Sequence, residues 1–128
     1  MGLFSAILGN AGAKSAEELT KEYSELLTED EKIEIGFIII RDVGFFTNKR
    51  LVFVDKQGIT GKKTSYLSIP YHSIVKYTIQ TSGTFDLNAE LFIWCKNDVA
   101  QFPTVRKRFS KSVNIYDFQK VLSKYTLK

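Results

Sequence analysis

The sequence predicts a mainly β domain in which about seven short antiparallel strands form a strongly bent sheet or partly open barrel, capped by a C-terminal helix. Three features of the 128-residue chain support this prediction. From residue 32 onward, apolar residues recur at every second position, which is the period of a strand. Turn-forming residues separate these runs at short intervals, and an amphipathic helical segment lies near each end of the chain.

Residues 1–30 are predicted to form a helical extension, and residues 31–128 the β domain. Four apolar residues near the start fall on one helical face: Leu3, Phe4, Ile7 and Leu8. This face is expected to dock on the domain or on a neighbour; the alternative, that it lies on a membrane surface, is less favoured because the polar face has no lysine or arginine to meet anionic lipid. A second helix is predicted over residues 16–27, because Ser15 and Glu18 form a capping box before an apolar stripe. The first segment is shorter than the ~20 residues of a membrane span, so we expect a soluble cytoplasmic protein.

The densest β signal is the stretch 45–55, in which two apolar runs are joined by Thr47-Asn48-Lys49. This pattern predicts a hairpin, with Asn48 expected to adopt the tolerant turn conformation. The preceding strand begins with alternating residues but ends apolar on both sides. Its outward residues Ile38 and Ile40 therefore need a cover.

The cleanest alternation lies in residues 85–95, where one row is expected to face the core and to end at Cys95. The opposite row ends in Phe92 and Trp94, which are too large to leave exposed without a partner. Residues 99–109 are predicted to form a final strand that Pro103 interrupts or places at an edge. A terminal helix then follows Asn114 as its N-cap, with Val113 and Phe118 as a hydrophobic staple.

No catalytic, cofactor-binding or metal-binding residues are predicted. His72 is the single histidine and has no sequence-marked partner, and Cys95 continues an inward apolar row. No paired histidine or cysteine spacing is present, and the glycines at 58 and 61 lack the spacing of a phosphate-binding loop. One cysteine permits no internal disulfide, which agrees with a reducing compartment.

The charge is unevenly distributed along the chain. Residues 1–35 contain eight carboxylates and three lysines, a net charge of −5, so the remainder carries +9 to give the overall +4. An acidic front and a basic body favour head-to-tail association, or attraction of the body to an anionic membrane or nucleic acid. The alternative is that these charges only solvate two surfaces.

Several stretches together resemble the bacterial pleckstrin-homology (PH) domain family: residues 46–51 (FTNKRL), 58–64 (GITGKKT), 66–71 (YLSIPY) and Ile74. The resemblance covers residues 26–126. It implies the PH-like superfold, in which seven strands form two near-orthogonal sheets capped by a C-terminal helix. It also implies a protein without enzymatic activity that forms closed rings of identical subunits and binds other proteins.

The resemblance therefore leads us to expect a non-catalytic interaction module that assembles into a cyclic homo-oligomer, with a pentamer as one candidate, and binds an unidentified protein partner. The two outward apolar patches are the candidate subunit interface: Ile38, Ile40, Phe92 and Trp94. The alternative is that the N-terminal helix covers both patches within one chain.

Peripheral binding to anionic lipid is the second functional hypothesis. The first hairpin, residues 39–44, has one arginine beside an aspartate, so the phosphoinositide site of eukaryotic relatives does not carry over. Five other basic residues are the candidate anion or lipid surface: Lys62, Lys63, Arg106, Lys107 and Arg108. Nucleic acid is not expected as a partner, because no RNA-recognition signature is present and most aromatic residues fall on inward rows.

Overall fold

Seven strands and two α-helices make up the part of the chain that the computed structural model describes, namely residues 15–40, 42–57, 63–81, 89–109 and 113–127. The elements in chain order are α1 (Ala16–Glu22), a 3-10 turn (Ser24–Leu26), β1 (Ile33–Ile39), β2 (Asp42–Thr47), β3 (Arg50–Gln57), β4 (Lys63–Pro70), a second 3-10 turn (Tyr71–Ser73), β5 (Ile74–Thr81), β6 (Ala89–Cys95), β7 (Val105–Arg108) and α2 (Ile115–Thr126).

The strands form two antiparallel sheets that are not closed into a barrel. Strands β1 to β4 pair in sequence order, and strands β5 to β7 do the same. The sheets are joined along one seam, where Ile39 bridges to Phe109 and the Ile40 amide donates to the Arg108 carbonyl at 2.8 Å. Strands β4 and β5 lie at the opposite edges, linked by the second 3-10 turn. The predicted mainly β, partly open architecture is thus confirmed.

The main hydrophobic core lies between the two sheets, and α2 fills one end of it. Phe118 of α2 is fully buried, with its ring centroid 4.8 Å from that of Phe37 and 4.6 Å from that of Phe109. The helix begins as predicted, because the Asn114 side chain accepts hydrogen bonds from the amides of the first turn. Gly44 permits this packing, since a Cβ there would clash with the Phe37 ring.

A second, smaller core lies on the outer face of the four-stranded sheet under α1. Leu19 and Tyr23 are buried there, and the Tyr23 ring centroid is 5.5 Å from that of Phe45. The predicted capping box of Ser15 and Glu18 is confirmed. The helix is shorter than predicted, however. It ends at Glu22 and gives way to a 3-10 turn, beyond which Arg50 rather than a helical amide satisfies the Leu26 carbonyl, at 2.7 Å.

The hairpin between β2 and β3 differs from the prediction in how its turn is held. Asn48 does not have a positive φ; among the non-glycine residues described, that conformation occurs at Asn97. The Asn48 side chain instead accepts the Lys32 amide at 2.8 Å and donates to the Asp30 carbonyl. Thr47 Oγ1 accepts the amides of residues 49 and 50. Side-chain hydrogen bonds, several of them to a distant segment, therefore replace the backbone conformation that we expected.

The last strand begins later than predicted, at Val105. The connection from β6 is folded around the Asp98 carboxylate, which accepts the Cys95 amide at 2.9 Å and both the amide and the hydroxyl of Thr104. These hydrogen bonds hold residues 99–104 in a loop beside the sheet. Pro103 lies in this loop and not in a strand, so its lack of an N–H removes no hydrogen bond from the sheet.

Candidate interaction surface

The outer face of the three-stranded sheet carries the most distinctive surface of the chain. Leu91 and Ile93 point into the core, so their neighbours Phe92 and Trp94 point outward. The pairing register places Lys76 of β5 beside Trp94, and Arg106 of β7 beside Phe92. We call this set, which Arg108 completes on the same face of β7, the aromatic-cationic platform: Lys76, Phe92, Trp94, Arg106 and Arg108.

The two aromatic rings form the centre of the platform. Both side chains are only partly buried, and their ring centroids lie 6.1 Å apart with the planes inclined by 26°. The indole Nε1 of Trp94 donates to the Ala100 carbonyl at 3.0 Å. This bond fixes the indole against the loop and leaves the ring faces to the cations and to solvent.

Cations border the aromatic pair on both sides. Lys76 Nζ lies 4.9 Å from the Trp94 ring centroid, and Arg106 Cζ lies 5.6 Å from that of Phe92. These distances suit cation-π contacts. Arg106 also faces Glu90, but their N–O distance is 3.9 Å and the arginine side chain is 72% exposed. Such an exposed ion pair contributes little to stability, so the Arg106 guanidinium is available to an external anion.

A shallow groove of about 290 Å³ runs beside the aromatic pair, between the sheet and the loop. The loop contributes Ala100, Gln101 and Pro103 to its wall. Two apolar side chains of the same loop are strongly exposed, Val99 at 55% and Phe102 at 74%. Hydrogen bonds from Thr104 and from the Cys95 amide lower the pKa of the Asp98 carboxyl, so the loop's anchor stays ionised at neutral pH.

The structure brings together residues that the sequence assigned to two different surfaces. Phe92 and Trp94, predicted as an oligomer interface, share one face with Arg106 and Arg108, predicted as an anion surface. Lys107 points to the other side, with its Nζ 3.6 Å from Asp55.

The other candidate residues lie apart from the platform. Lys63 begins β4 in the four-stranded sheet, and Lys62 lies outside the described residues. Ile38 is half-buried on the outer face of the four-stranded sheet, opposite Val43, and Ile40 just after β1 is 41% exposed. The apolar stripe at residues 3–8 also lies outside the described part of the chain. Helix α1 packs on the four-stranded sheet, so it does not cover the platform.

Lys76 is the platform residue that the sequence reasoning did not select. Residues 75–80 alternate in the sequence, which places Lys76 on the face opposite Tyr77 and Ile79, but alternation does not specify the register between β5 and β6. Only the pairing of Lys76 with Trp94 reveals the contact. The cross-strand neighbour, rather than the residue type, was the missing information.

The described residues contain no group of three or more histidine, cysteine or acidic side chains arranged to hold a metal ion. His72 is exposed in the second 3-10 turn, and Cys95 is half-buried with its sulfur 3.8 Å from Ser73 Oγ. No helix in the described part of the chain is long and apolar enough to cross a membrane.

The chain is similar to known proteins in both sequence and structure. The family model described as bacterial PH domain matches residues 2–126 of the chain. Two proteins of Bacillus subtilis strain 168 are similar along nearly their whole length. The uncharacterized protein YjqA is 49% identical, with 96% of this chain and 97% of YjqA covered. The uncharacterized protein YozO is 30% identical, with 98% and 97% covered.

Two crystal structures also resemble the chain. The pleckstrin homology domain from Shewanella amazonensis SB2B superposes with a TM-score of 0.80 at 37% identity, covering 97% of this chain and 98% of that one. A DUF1696 family protein with a pleckstrin-homology domain from Shewanella loihica PV-4 gives a TM-score of 0.77 at 37% identity, with 89% and 95% covered.

Proposed function

Because the chain belongs to the bacterial PH domain family, we propose that it is a non-catalytic interaction module that assembles into a closed ring of identical subunits and presents a surface to a protein partner. The PH-like family is generally non-catalytic. A cytoplasmic location is part of the proposal and agrees with the free thiol of Cys95.

The stacked pair of Phe92 and Trp94 is the observation that carries the proposal. Large aromatic side chains on an open sheet face, beside a loop that carries the exposed Phe102, form a patch of the kind that marks protein contact sites. Tryptophan and arginine are also the residues that most often dominate binding energy at interfaces. A neighbouring subunit that covered this face would remove the aromatic surface from water.

Measurement of mass in solution tests this proposal. We expect the wild-type protein to sediment as a multiple of its 14.6 kDa monomer mass, and Trp94→Glu to shift toward the monomer. Tyr116→Glu is the matched control, because Tyr116 is also an aromatic residue, 72% exposed, but lies on α2. A monomeric wild type would refute the ring, and a Trp94→Glu variant that assembles like the wild type would exclude this face from the contact.

Peripheral binding to anionic membrane is the second candidate function. It is favoured by the position of Lys76 and Arg106 beside exposed aromatic rings, a combination suited to an anionic lipid interface. Flotation with phosphatidylglycerol vesicles, compared with phosphatidylcholine vesicles, tests it. Anionic-specific flotation that Arg106→Glu/Arg108→Glu abolishes would support this function, and equal recovery with both lipids would exclude it.

A further inference from the structure

The loop between β6 and β7 presents two apolar side chains to solvent. Val99 is 55% exposed and Phe102 is 74% exposed, the highest fraction among the large hydrophobic side chains described. The Phe102 amide donates to the Val99 carbonyl at 3.0 Å, so these residues begin and end one tight turn, and their Cα atoms lie within about 7 Å. We call Val99 and Phe102 the apolar tip.

Hydrogen bonds hold the apolar tip away from the sheet. The Asp98 carboxylate accepts the Cys95 amide and both the amide and the hydroxyl of Thr104, which closes the base of the loop. Within the loop, the Ala100 carbonyl accepts the Trp94 indole N–H at 3.0 Å. The tip would have to break these bonds to fold back onto the sheet. Its exposure is therefore a property of the folded loop.

Cations surround the base of the loop. Lys96 begins it and is exposed, Arg106 borders the groove that the loop helps to form, and Lys76 lies over the ring of Trp94. Within residues 96–106 the one carboxylate is Asp98, which is already hydrogen-bonded inside the loop. An anionic surface at this end of the sheet would therefore meet apolar side chains ringed by positive charge.

Many of the exposed carboxylates lie on the other outer face of the molecule. Helix α1 packs on the outer face of the four-stranded sheet, and the main core separates that face from the three-stranded sheet. Five exposed glutamates lie on α1 and in the segment that follows it: Glu17, Glu18, Glu22, Glu25 and Glu29. A negatively charged bilayer repels this face and attracts the cations beside the loop, which orients the apolar tip toward the bilayer.

We propose that Val99 and Phe102 insert between the headgroups of an anionic bilayer, while Lys76, Lys96 and Arg106 bind lipid phosphates around them. The inference rests on the second proposed function, peripheral membrane binding, and assigns the element that anchors the protein. Trp94 at the base of the loop suits this position, because tryptophan combines an apolar ring with a polar N–H and is favoured at membrane interfaces.

Insertion of the apolar tip gives membrane binding a component that salt does not remove. The attraction of exposed lysine and arginine to anionic lipid weakens as ionic strength rises, whereas the burial of apolar surface does not depend on charge. The tip by itself is too small for a stable protein contact, in which each partner buries about 800 Å². Two side chains on a loop are sufficient for a bilayer, because insertion and charge attraction add to one another.

Vesicle flotation of a variant without the apolar tip tests the proposal. The variant is Val99→Ser/Phe102→Ser, and the control is Tyr116→Ser, which removes an aromatic side chain that is 72% exposed on α2. With phosphatidylglycerol vesicles we expect the tip variant to bind at least about tenfold more weakly than the wild type, because valine and phenylalanine are no longer buried. The control should bind like the wild type. At about 0.5 M salt the wild type should retain part of its binding and the tip variant none.

Tryptophan fluorescence provides a direct readout of insertion. In the variant Phe102→Trp, brominated acyl chains in phosphatidylglycerol vesicles quench the new indole if it enters the bilayer. The wild type, in which Trp94 is the single tryptophan, is the reference. We expect stronger quenching in the variant than in the wild type. Circular dichroism verifies that every variant is folded, and sedimentation gives its mass.

The outcomes separate this inference from both proposed functions. If the wild type does not float with phosphatidylglycerol vesicles, membrane binding and insertion are both refuted, while the ring is unaffected. If the tip variant floats as well as the wild type, insertion is refuted and binding through charge alone stands. If the tip variant floats like the wild type but has a lower mass in solution, the tip belongs to a protein contact, which also overturns the proposal. Weaker flotation at unchanged mass, with strong quenching of Phe102→Trp, supports it.

Discussion

Replacing Glu31 by glutamine should destabilise the protein in a manner that depends on pH. The Glu31 side chain is 1% exposed and forms a two-point ion pair with Arg50, with Nε–Oε2 at 2.7 Å and Nη2–Oε1 at 2.8 Å. Thr47 Oγ1 donates to it at 2.7 Å, and the Thr28 amide at 3.1 Å. A buried carboxylate with this many donors is strongly favoured in its ionised form.

The magnitude follows from the pKa of Glu31. Burial raises this pKa, but the hydrogen bonds from Arg50, Thr47 and Thr28 and the charge of Arg50 outweigh burial and lower it from 4.5 to about 2. Each pKa unit corresponds to about 1.4 kcal/mol, so the ionised carboxylate contributes about 3 kcal/mol to the free energy of unfolding at pH 7. Because the folded-state pKa is the lower one, this contribution is complete above about pH 4.5 and is lost as the pH falls toward 2.

Urea unfolding of the wild type and Glu31→Gln, at one protein concentration, measures this effect. We expect a difference of at least about 3 kcal/mol at pH 7, because the variant also leaves the partly buried Arg50 without its counter-charge. The difference should shrink by about 2 kcal/mol at pH 3. Glu34→Gln, an exposed carboxylate on β1, is the control and should stay within about 0.5 kcal/mol of the wild type. A difference for Glu31→Gln that does not change between pH 7 and pH 3 would refute the reasoning.

Two further substitutions test the core, and both are read by the same urea unfolding at pH 7. Gly44→Ala should cost about 1–3 kcal/mol, because the new Cβ clashes with the Phe37 ring and lies 3.1 Å from the Val52 carbonyl oxygen; an unchanged midpoint would mean that Phe37 can move aside. Tyr125→Phe should leave stability unchanged or raise it by up to about 1 kcal/mol, because the buried Tyr125 hydroxyl has no hydrogen-bond partner among the described residues. A loss above about 1 kcal/mol would instead reveal a partner for that hydroxyl.

The sequence predicted the strands and their inward rows well, because alternation is a local property. Leu91 and Ile93 are buried as their spacing indicated, and α2 begins at its predicted N-cap. The strand count and the family resemblance led to the correct fold. The capping box of Ser15 and Glu18 could also be predicted, because it involves residues only three positions apart.

Contacts between segments that are distant in the sequence could not be predicted from local patterns. Arg50 lies 19 residues from Glu31, and neither residue carries a local mark of burial. The turn at Asn48 differs from the prediction for this reason, since the Asn48 side chain forms hydrogen bonds with the backbone of residues 30 and 32. The platform required the register between strands, which sequence alternation alone does not fix.

The seam between Ile39 and Phe109 has a consequence for the outer faces of the molecule. It ties the edge of one sheet to the edge of the other, and the Phe118 ring of α2 packs against Phe37 of the first sheet and against Phe109 at the seam. The orientation of each outer face therefore depends on contacts made in the core. In the ring that we propose, a substitution at Phe118 would alter the geometry of the assembly although this side chain is fully buried.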